Sequence, residues 1–436
     1  MQFIPNNNST NEKEILDFLE IDSFEELLKI VPKKLREKIS LNLSNGLSEY
    51  DLINEVKKIS KKNIISQYNF LGRGIYDHYV PKVVDFIASR SEFYTSYTPY
   101  QPEVSQGTLQ YLYEFQSMIS ILSGMDATNA SLYDGASSVA EACSMAISIT
   151  KKKNIIVSGT LFDSYFDVLK TYLNNRIDNL ISIDYSNGRT NTEQLVENIN
   201  QDTACVVIQS PNKFGLLEDW ENFKTIIPED VLLIAVSDPT SLSIIKSPAD
   251  CGADIFAGEG QSLGNYPSFG GPLLGLISCL QKYVRKMPGR IIGKTKDIDG
   301  KNGFVLTLQT REQHIRRDKA TSNICTNQGL LALRATIYLS LVGKYGLVDI
   351  AKKSFQNAQY AYNKISSLRN FSLPYDNQFL KEFPVRYSKP ISGIVSDALK
   401  QNIFIEPCST DQECDMFMLS FTEKKSKDQI DYLINF

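Results

Sequence analysis

Five short apolar runs, rich in β-branched residues, occupy the middle of the chain at residues 154–158, 180–184, 204–209, 231–237 and 253–257. Each is bounded by polar residues, glycine or proline, and helical patterns such as 164–173 and 192–199 lie between several of them. A half-solvated strand alternates apolar with polar residues. These runs are continuous, so they suit strands buried on both faces, with the intervening helices as cover. The spacing predicts an α/β fold with a mainly parallel central sheet flanked by helices.

The flanks read differently. Residues 1–68 form an N-terminal helical segment. Ser23 and Glu26 make a capping-box pattern ahead of the periodic run Phe24, Leu27, Leu28, Ile30, which Pro32 ends. Ser48 and Asp51 open a second helix that runs through Val56. Residues 69–320 hold the large α/β domain. Beyond them the pattern predicts a buried helix over 327–345 and an amphipathic one over 348–368, with Ala351, Phe355, Ala358, Tyr362 and Ile365 on one side. Strand patterns at 383–387 and 416–421 then alternate with helical ones at 393–401 and 427–436, which makes 321–436 a smaller C-terminal α/β domain.

Composition narrows the chemistry. The chain has 436 residues, 42% hydrophobic and 22% charged, the balance of a globular protein with a large core. With 46 basic and 50 acidic residues the net charge is −4, which gives no electrostatic case for nucleic acid as the main ligand. The only histidines are His78 and His314, so a His-rich metal site or a Ser-His-Asp triad has few ways to exist, and no metal site is suggested. Seven scattered cysteines without a C-x-x-C pair argue against a disulfide framework or a structural zinc. Cys143, Cys205 and Cys279 lie in apolar runs and read as small buried hydrophobes. Residues 1–12 are polar and Asn-rich, unlike a signal peptide. The long uncharged stretch 261–281 is broken by Pro267, Pro272 and glycines, so no membrane helix is read there. The expected compartment is the cytoplasm.

Three segments could carry chemistry. Tyr133-Asp-Gly-Ala-Ser-Ser138 opens a helical run, and small residues there would expose free N–H groups and the positive end of the helix dipole to an anion. An ordinary Asp/Ser N-cap explains the same residues. Asp238 follows the strongest strand pattern, where open α/β sheets bind ligands, although Asp238-Pro239 is also a common turn. Gly258-Glu-Gly-Gln-Ser-Leu-Gly264 looks like a dinucleotide fingerprint, but Pro267 blocks the required helix and no acidic residue occurs between Glu259 and Asp297.

Their order is that of fold-type-I pyridoxal phosphate (PLP) enzymes: a helix start for the phosphate, a strand-end Asp for the pyridinium nitrogen, then a lysine for the imine. The lysine should fall near residue 261. The chain reads Glu259, Gly260, Gln261, Ser262. Lys246 is too close to Asp238, and Lys282 lies beyond the following strand, 271–278.

Longer motifs carry a resemblance over essentially the whole chain. They are Phe70-Leu-Gly-Arg-Gly-Ile-Tyr-Asp-His-Tyr-Val-Pro81, residues 92–110 and 133–141, Phe269-Gly-Gly-Pro272, Pro288-Gly-Arg-Ile-Ile-Gly293, and Phe421-Thr-Glu-Lys-Lys425. The most specific is Thr310-Arg-Glu-Gln-His-Ile-Arg-Arg-Asp-Lys-Ala-Thr-Ser-Asn-Ile-Cys-Thr-Asn-Gln328. With these the chain resembles subunit 1, the alpha or N-terminal type, of the split glycine dehydrogenase (decarboxylating), the P-protein family of the glycine cleavage system.

The resemblance implies two homologous subunits, of which the second carries the cofactor lysine. Aligned through the shared Gly-Gly-Pro, the lysine's place in this chain is Gln261, and a neutral amide cannot form an imine. PLP would then be held covalently by the partner subunit. Gly135, Ala136, Ser137 and Asp238 would be a vestigial cofactor site. The resemblance further implies decarboxylation of glycine, transfer of the aminomethyl group to the lipoyl arm of H-protein with release of CO2, and a heterotetramer with two copies of each subunit. The isolated chain would be inactive.

Fold-type-I dimers build each active site at their interface, so a lysine-free subunit can still complete its neighbour's site. The candidates are Tyr94, Thr95, Tyr97, Tyr100, Gln101 and Glu103, in a stretch held extended by Pro99 and Pro102. The alternatives are a purely structural docking subunit and a self-sufficient PLP enzyme that uses another lysine. His314, with Arg311, Arg316 and Arg317, reads either as an anion or partner-carboxylate site or as a salt-bridged hinge. His78 reads as packed and hydrogen-bonded.

Overall fold

The five apolar runs become five adjacent parallel strands. The computed structural model describes residues 8–36, 42–409 and 414–436. The sheet contains β1 (Ala127–Thr128), β2 (Asn154–Ser158), β3 (Asn179–Ile183), β4 (Thr203–Gln209), β5 (Leu232–Val236), β6 (Ile255–Glu259) and β7 (Gly275–Cys279), in the order β1-β7-β6-β5-β4-β2-β3. From β6 to β3 all pairings are parallel, whereas β7 runs antiparallel to both β6 and β1.

Period-two alternation divides each strand between two cores. Val206, Ile208, Leu233, Ala235, Phe256 and Leu276 face one, with Leu109, Leu112, Phe115 and Ile119 of α1 (Gln106–Ser123). Cys205, Val207, Leu232, Ile234, Ile255, Ala257 and Ile277 face the other, with Val139, Ala140, Cys143 and Ala146 of α2 (Gly135–Thr150). Cys143, Cys205 and Cys279 are fully buried, as small hydrophobes should be.

The two expected helices after residue 327 form one, α3 (Gly329–Ile365), interrupted at Gly343. That residue takes φ 59° and ψ −171°, open to glycine and costly for an L side chain. By length and composition α3 could cross a membrane. Its Ala332, Leu333, Ala335, Tyr338 and Leu339 instead join the core that α1 covers.

The far end of α3 supports a second sheet. After a hairpin of β8 (Ile291–Lys296) and β9 (Asn302–Thr307), strands β10 (Phe371–Ser372), β11 (Glu382–Tyr387), β12 (Glu406–Pro407) and β13 (Met416–Ser420) pair in the order β10-β11-β13-β12. Every pairing is antiparallel, a feature that strand–helix alternation does not specify. Phe379, Phe383, Val385, Phe417, Leu419 and Phe421 share a third core with Ala358, Ala361 and Ile365 of α3.

Two units make up the chain, Met1–Ile64 and Ile65–Phe436. In the first, Ser48 caps the helix Glu49–Ser60 by accepting the Asp51 N–H at 3.2 Å. The capping box at Ser23 does not form. Glu26 accepts the N–H of Asp22 (2.9 Å), one residue upstream, and the helix Phe24–Leu27 tightens into a 3-10 turn, Leu28–Ile30. No helix of this unit contains a buried residue among those described.

Candidate functional site

The carboxyl ends of β4, β5 and β6 meet where open α/β sheets bind ligands, and Asp238 follows β5 there. Asp238 is ion-paired with Lys381 at 2.8 Å. Its carboxylate also accepts hydrogen bonds from Thr240, the Ser241 N–H (3.1 Å) and hydroxyl (3.0 Å), and the Ser262 hydroxyl (2.8 Å). Burial alone would raise this carboxyl; Lys381, then His78, hold it well below the usual carboxylate range.

Lys381 has no freedom left. Its ammonium also donates to the Thr240 hydroxyl (2.7 Å), meets His78 Nε2 at 3.0 Å and lies 3.9 Å above the centre of the Tyr76 ring. His78 is 3% exposed, and its Nδ1 meets Glu423 at 2.6 Å, so it is packed and hydrogen-bonded as the sequence suggests. The Tyr76 hydroxyl donates to Glu382 at 2.7 Å, and the Arg73 N–H donates to the other oxygen of that carboxylate at 2.9 Å.

The helix start is occupied from within. Asp134 and Ser137 form a reciprocal capping box. Gly135 donates its N–H to Glu259 at 2.8 Å, and the same carboxylate accepts the N–H groups of Gln261 (2.9 Å) and Leu274 (2.8 Å). Burial pushes the Glu259 carboxyl up to about 8 against those three donors. Only glycine fits at 135, because a Cβ would stand 2.2 Å from the Tyr165 hydroxyl and 2.9 Å from the Glu259 Cβ. The group that accepts at this helix N-terminus is thus a side chain of the protein, a carboxyl that keeps its proton up to about pH 8.

Gln261 is fully buried. Its amide accepts the Tyr76 N–H (2.8 Å) and donates to the carbonyls of Tyr76 (3.0 Å) and Asn265 (2.7 Å). What remains among Tyr76, Phe162, Tyr165, Asp238 and Glu259 is a cavity of about 20 Å3, room for roughly one water.

Glu382 makes this site measurable. Burial pushes its carboxyl up to about 7 from 4.5, so between those values the folded chain holds a proton that the unfolded chain has released. Stability falls as pH rises through that window and levels off above it. Glu382→Gln keeps both hydrogen bonds, since the Tyr76 hydroxyl can turn and accept. The variant should gain up to about 3 kcal/mol over the parent between pH 5 and pH 8. Urea denaturation at the two pH values checks this; an unchanged difference would refute it.

The loop residues Tyr94, Thr95, Tyr97, Gln101 and Glu103 are exposed and make no hydrogen bond to Gly135, Asp238 or Gln261. Tyr100 turns elsewhere. Its hydroxyl lies 3.4 Å from Arg290, its ring stacks under that guanidinium, and it meets His314 edge-on. Arg290 is buried and also bonds Cys325 O, Thr326 and Asn327, tying the loop to the 310–328 segment. Sequence reasoning quoted the motif around Arg290 without giving it a role. Tyr76 stood in a quoted motif without a role, and Lys381 and Glu382 were missed, because they lie about 300 residues from Tyr76 along the chain and carry no local signal.

This architecture, a mainly parallel sheet with a strand-end Asp facing a helix start, is that of the fold-type-I PLP-dependent enzymes. The glutamate decarboxylase of Lactobacillus brevis shares the fold, with a TM-score of 0.69 at 12% identity over 90% of this chain and 92% of that one. A crystal structure of glycine decarboxylase (P-protein) of the glycine cleavage system, in inhibitor-bound form, is far more similar. Its TM-score is 0.89 at 34% identity, over 100% of this chain and 99% of that one.

Residues 1–436 match the family described as Glycine cleavage system P-protein, and the chain belongs to that family. The probable glycine dehydrogenase (decarboxylating) subunit 1 of Desulforamulus reducens is 46% identical over 406 residues, 92% of this chain and 91% of the relative. The protein of the same name from Chlorobaculum tepidum is 43% identical over 439 residues, 100% of this chain and 99% of the relative.

PLP does not fit this pocket. A lysine is missing at 261, and the amide there is locked to the Tyr76 backbone. Glu259 stands where a phosphate would meet the helix, and Lys381 stands against Asp238 where a pyridinium would. Protein groups fill the places of the cofactor's phosphate and pyridinium, and Lys381 supplies the positive charge beside Asp238.

Proposed function

We propose that this chain is the lysine-free subunit of glycine decarboxylase, working with a lysine-bearing partner subunit that holds PLP covalently. Together they decarboxylate glycine and pass the aminomethyl group to the lipoyl arm of H-protein, releasing CO2. The carrying observation is the closed pocket, with Gln261 at the lysine position and Lys381 and Glu259 occupying the places of cofactor charges. The name subunit 1 in the relatives also supports a second subunit. The assembly would be a cytoplasmic heterotetramer with two copies of each chain.

In this reading the chain completes its partner's site with the 94–103 loop. Tyr94 is 70% exposed and Tyr97 85%, aromatic hydroxyls with no pocket of their own to serve. A side chain presented to a neighbour's substrate contributes by orientation and exclusion of water. The anchoring of Tyr100 by Arg290 favours a second reading for that residue, as a brace for the loop.

Co-purification with the lysine-bearing subunit, assayed for glycine-dependent CO2 exchange, tests the proposal. The assembled pair should be active and this chain alone inactive. Borohydride reduction should fix the cofactor to the partner only. A reduced cofactor adduct on this chain would overturn the assignment.

A further inference from the structure

A second polar chamber lies away from the closed pocket. The segment Gln281–Lys286, the turn Pro288–Gly289 and the 311–324 stretch enclose a cavity of about 40 Å3. Arg285, Lys286, Arg311 and Arg316 line it, against one carboxylate, Glu312. None of the four cations forms an ion pair among the described residues, while Glu312 lies 3.7 Å from His314.

Arg311 holds the back wall. Its Nε donates to Leu308 O and its Nη2 to Gly289 O, each at 3.0 Å, so the guanidinium is fixed in place. Its Nη1 is shut off from solvent and has no hydrogen-bond partner. Burial pulls this guanidinium below its ordinary range, as it does for a cation without an adequate counter-charge. Thr321 and Ser322 add hydroxyl groups to the wall.

Four cations around one carboxylate repel one another unless an anion joins them, and guanidinium and ammonium groups are suited to oxyanions. The volume selects the size. A single water needs about 10–15 Å3 by the same measure, so this chamber takes a group of a few heavy atoms and no more. We propose that the chamber binds a small tetrahedral oxyanion, either free inorganic phosphate or the terminal phosphate of a monoester whose remainder stays outside.

The test uses the full-length chain at constant ionic strength, with chloride replaced by inorganic phosphate or by glycerol phosphate and binding followed by calorimetry and thermal unfolding. Phosphate should bind and raise the melting temperature where chloride does not. A monoester that binds more tightly than the free ion identifies the second source. Lys286→Gln with Arg316→Gln changes two exposed side chains that make no hydrogen bond among the described residues, so the variant should remain folded. It should bind phosphate at least about tenfold more weakly. Binding equal to that of the parent would overturn the site, as would a phosphate effect matched by chloride, the result expected of ionic screening alone.

Discussion

Lys381→Met is expected to destabilise the chain by roughly 3–5 kcal/mol at neutral pH, the cost of leaving a buried charge without its partner. The charge is Asp238, held ionised by Lys381 at 2.8 Å. Ser241, Thr240 and Ser262 would still donate to the carboxylate, but neutral donors do not cancel its charge. The deficit should shrink as pH falls through the carboxylate range, because protonation removes the charge that Lys381 balances. Adding Asp238→Asn should recover most of the loss, since deleting both members of a buried pair is far cheaper than deleting one. Urea denaturation of the four proteins in the cycle measures the coupling. Equal losses in Lys381→Met and the double variant would show that the pair does not hold the pocket closed.

Tyr97→Phe, in the complex assembled with the lysine-bearing partner, is expected to lower turnover roughly tenfold to a hundredfold. That is the effect of losing one hydrogen bond to a charged group at the reacting centre. Removing one oxygen from a side chain 85% exposed on this subunit should leave folding and assembly intact. Gel filtration checks the assembly and steady-state kinetics the turnover, with Tyr100→Phe alongside. Unchanged turnover in both variants would remove the loop from the mechanism and leave the docking subunit as the reading.

The central strands were legible because burial on both faces writes itself into sequence as an uninterrupted apolar run. Runs expected at 154–158 and 204–209 appear as Asn154–Ser158 and Thr203–Gln209. The absence at 261 was legible too, since the interval between a strand-end Asp and the lysine position is set by one strand crossover. The closure of the pocket was not. Tyr76, Lys381 and Glu382 meet only in three dimensions, and each reads as an ordinary residue of its own segment. Glu259 was passed over as part of a failed glycine motif, although its carboxylate is what the helix start binds. The 94–103 loop was legible as exposed and aromatic, but its tether to Arg290 was not, because no spacing rule links residues 190 apart.

The internally neutralised pocket also decouples this subunit from cofactor supply. A ligand stabilises a fold only as far as it binds the folded form, so a chain with no room for the ligand gains nothing when it arrives. Under the proposed division of labour, a cell short of vitamin B6 would still accumulate this subunit folded, while a cofactor-binding partner would lose that support. Assembly of the enzyme would then be limited by one half only, with the other waiting as a preformed template.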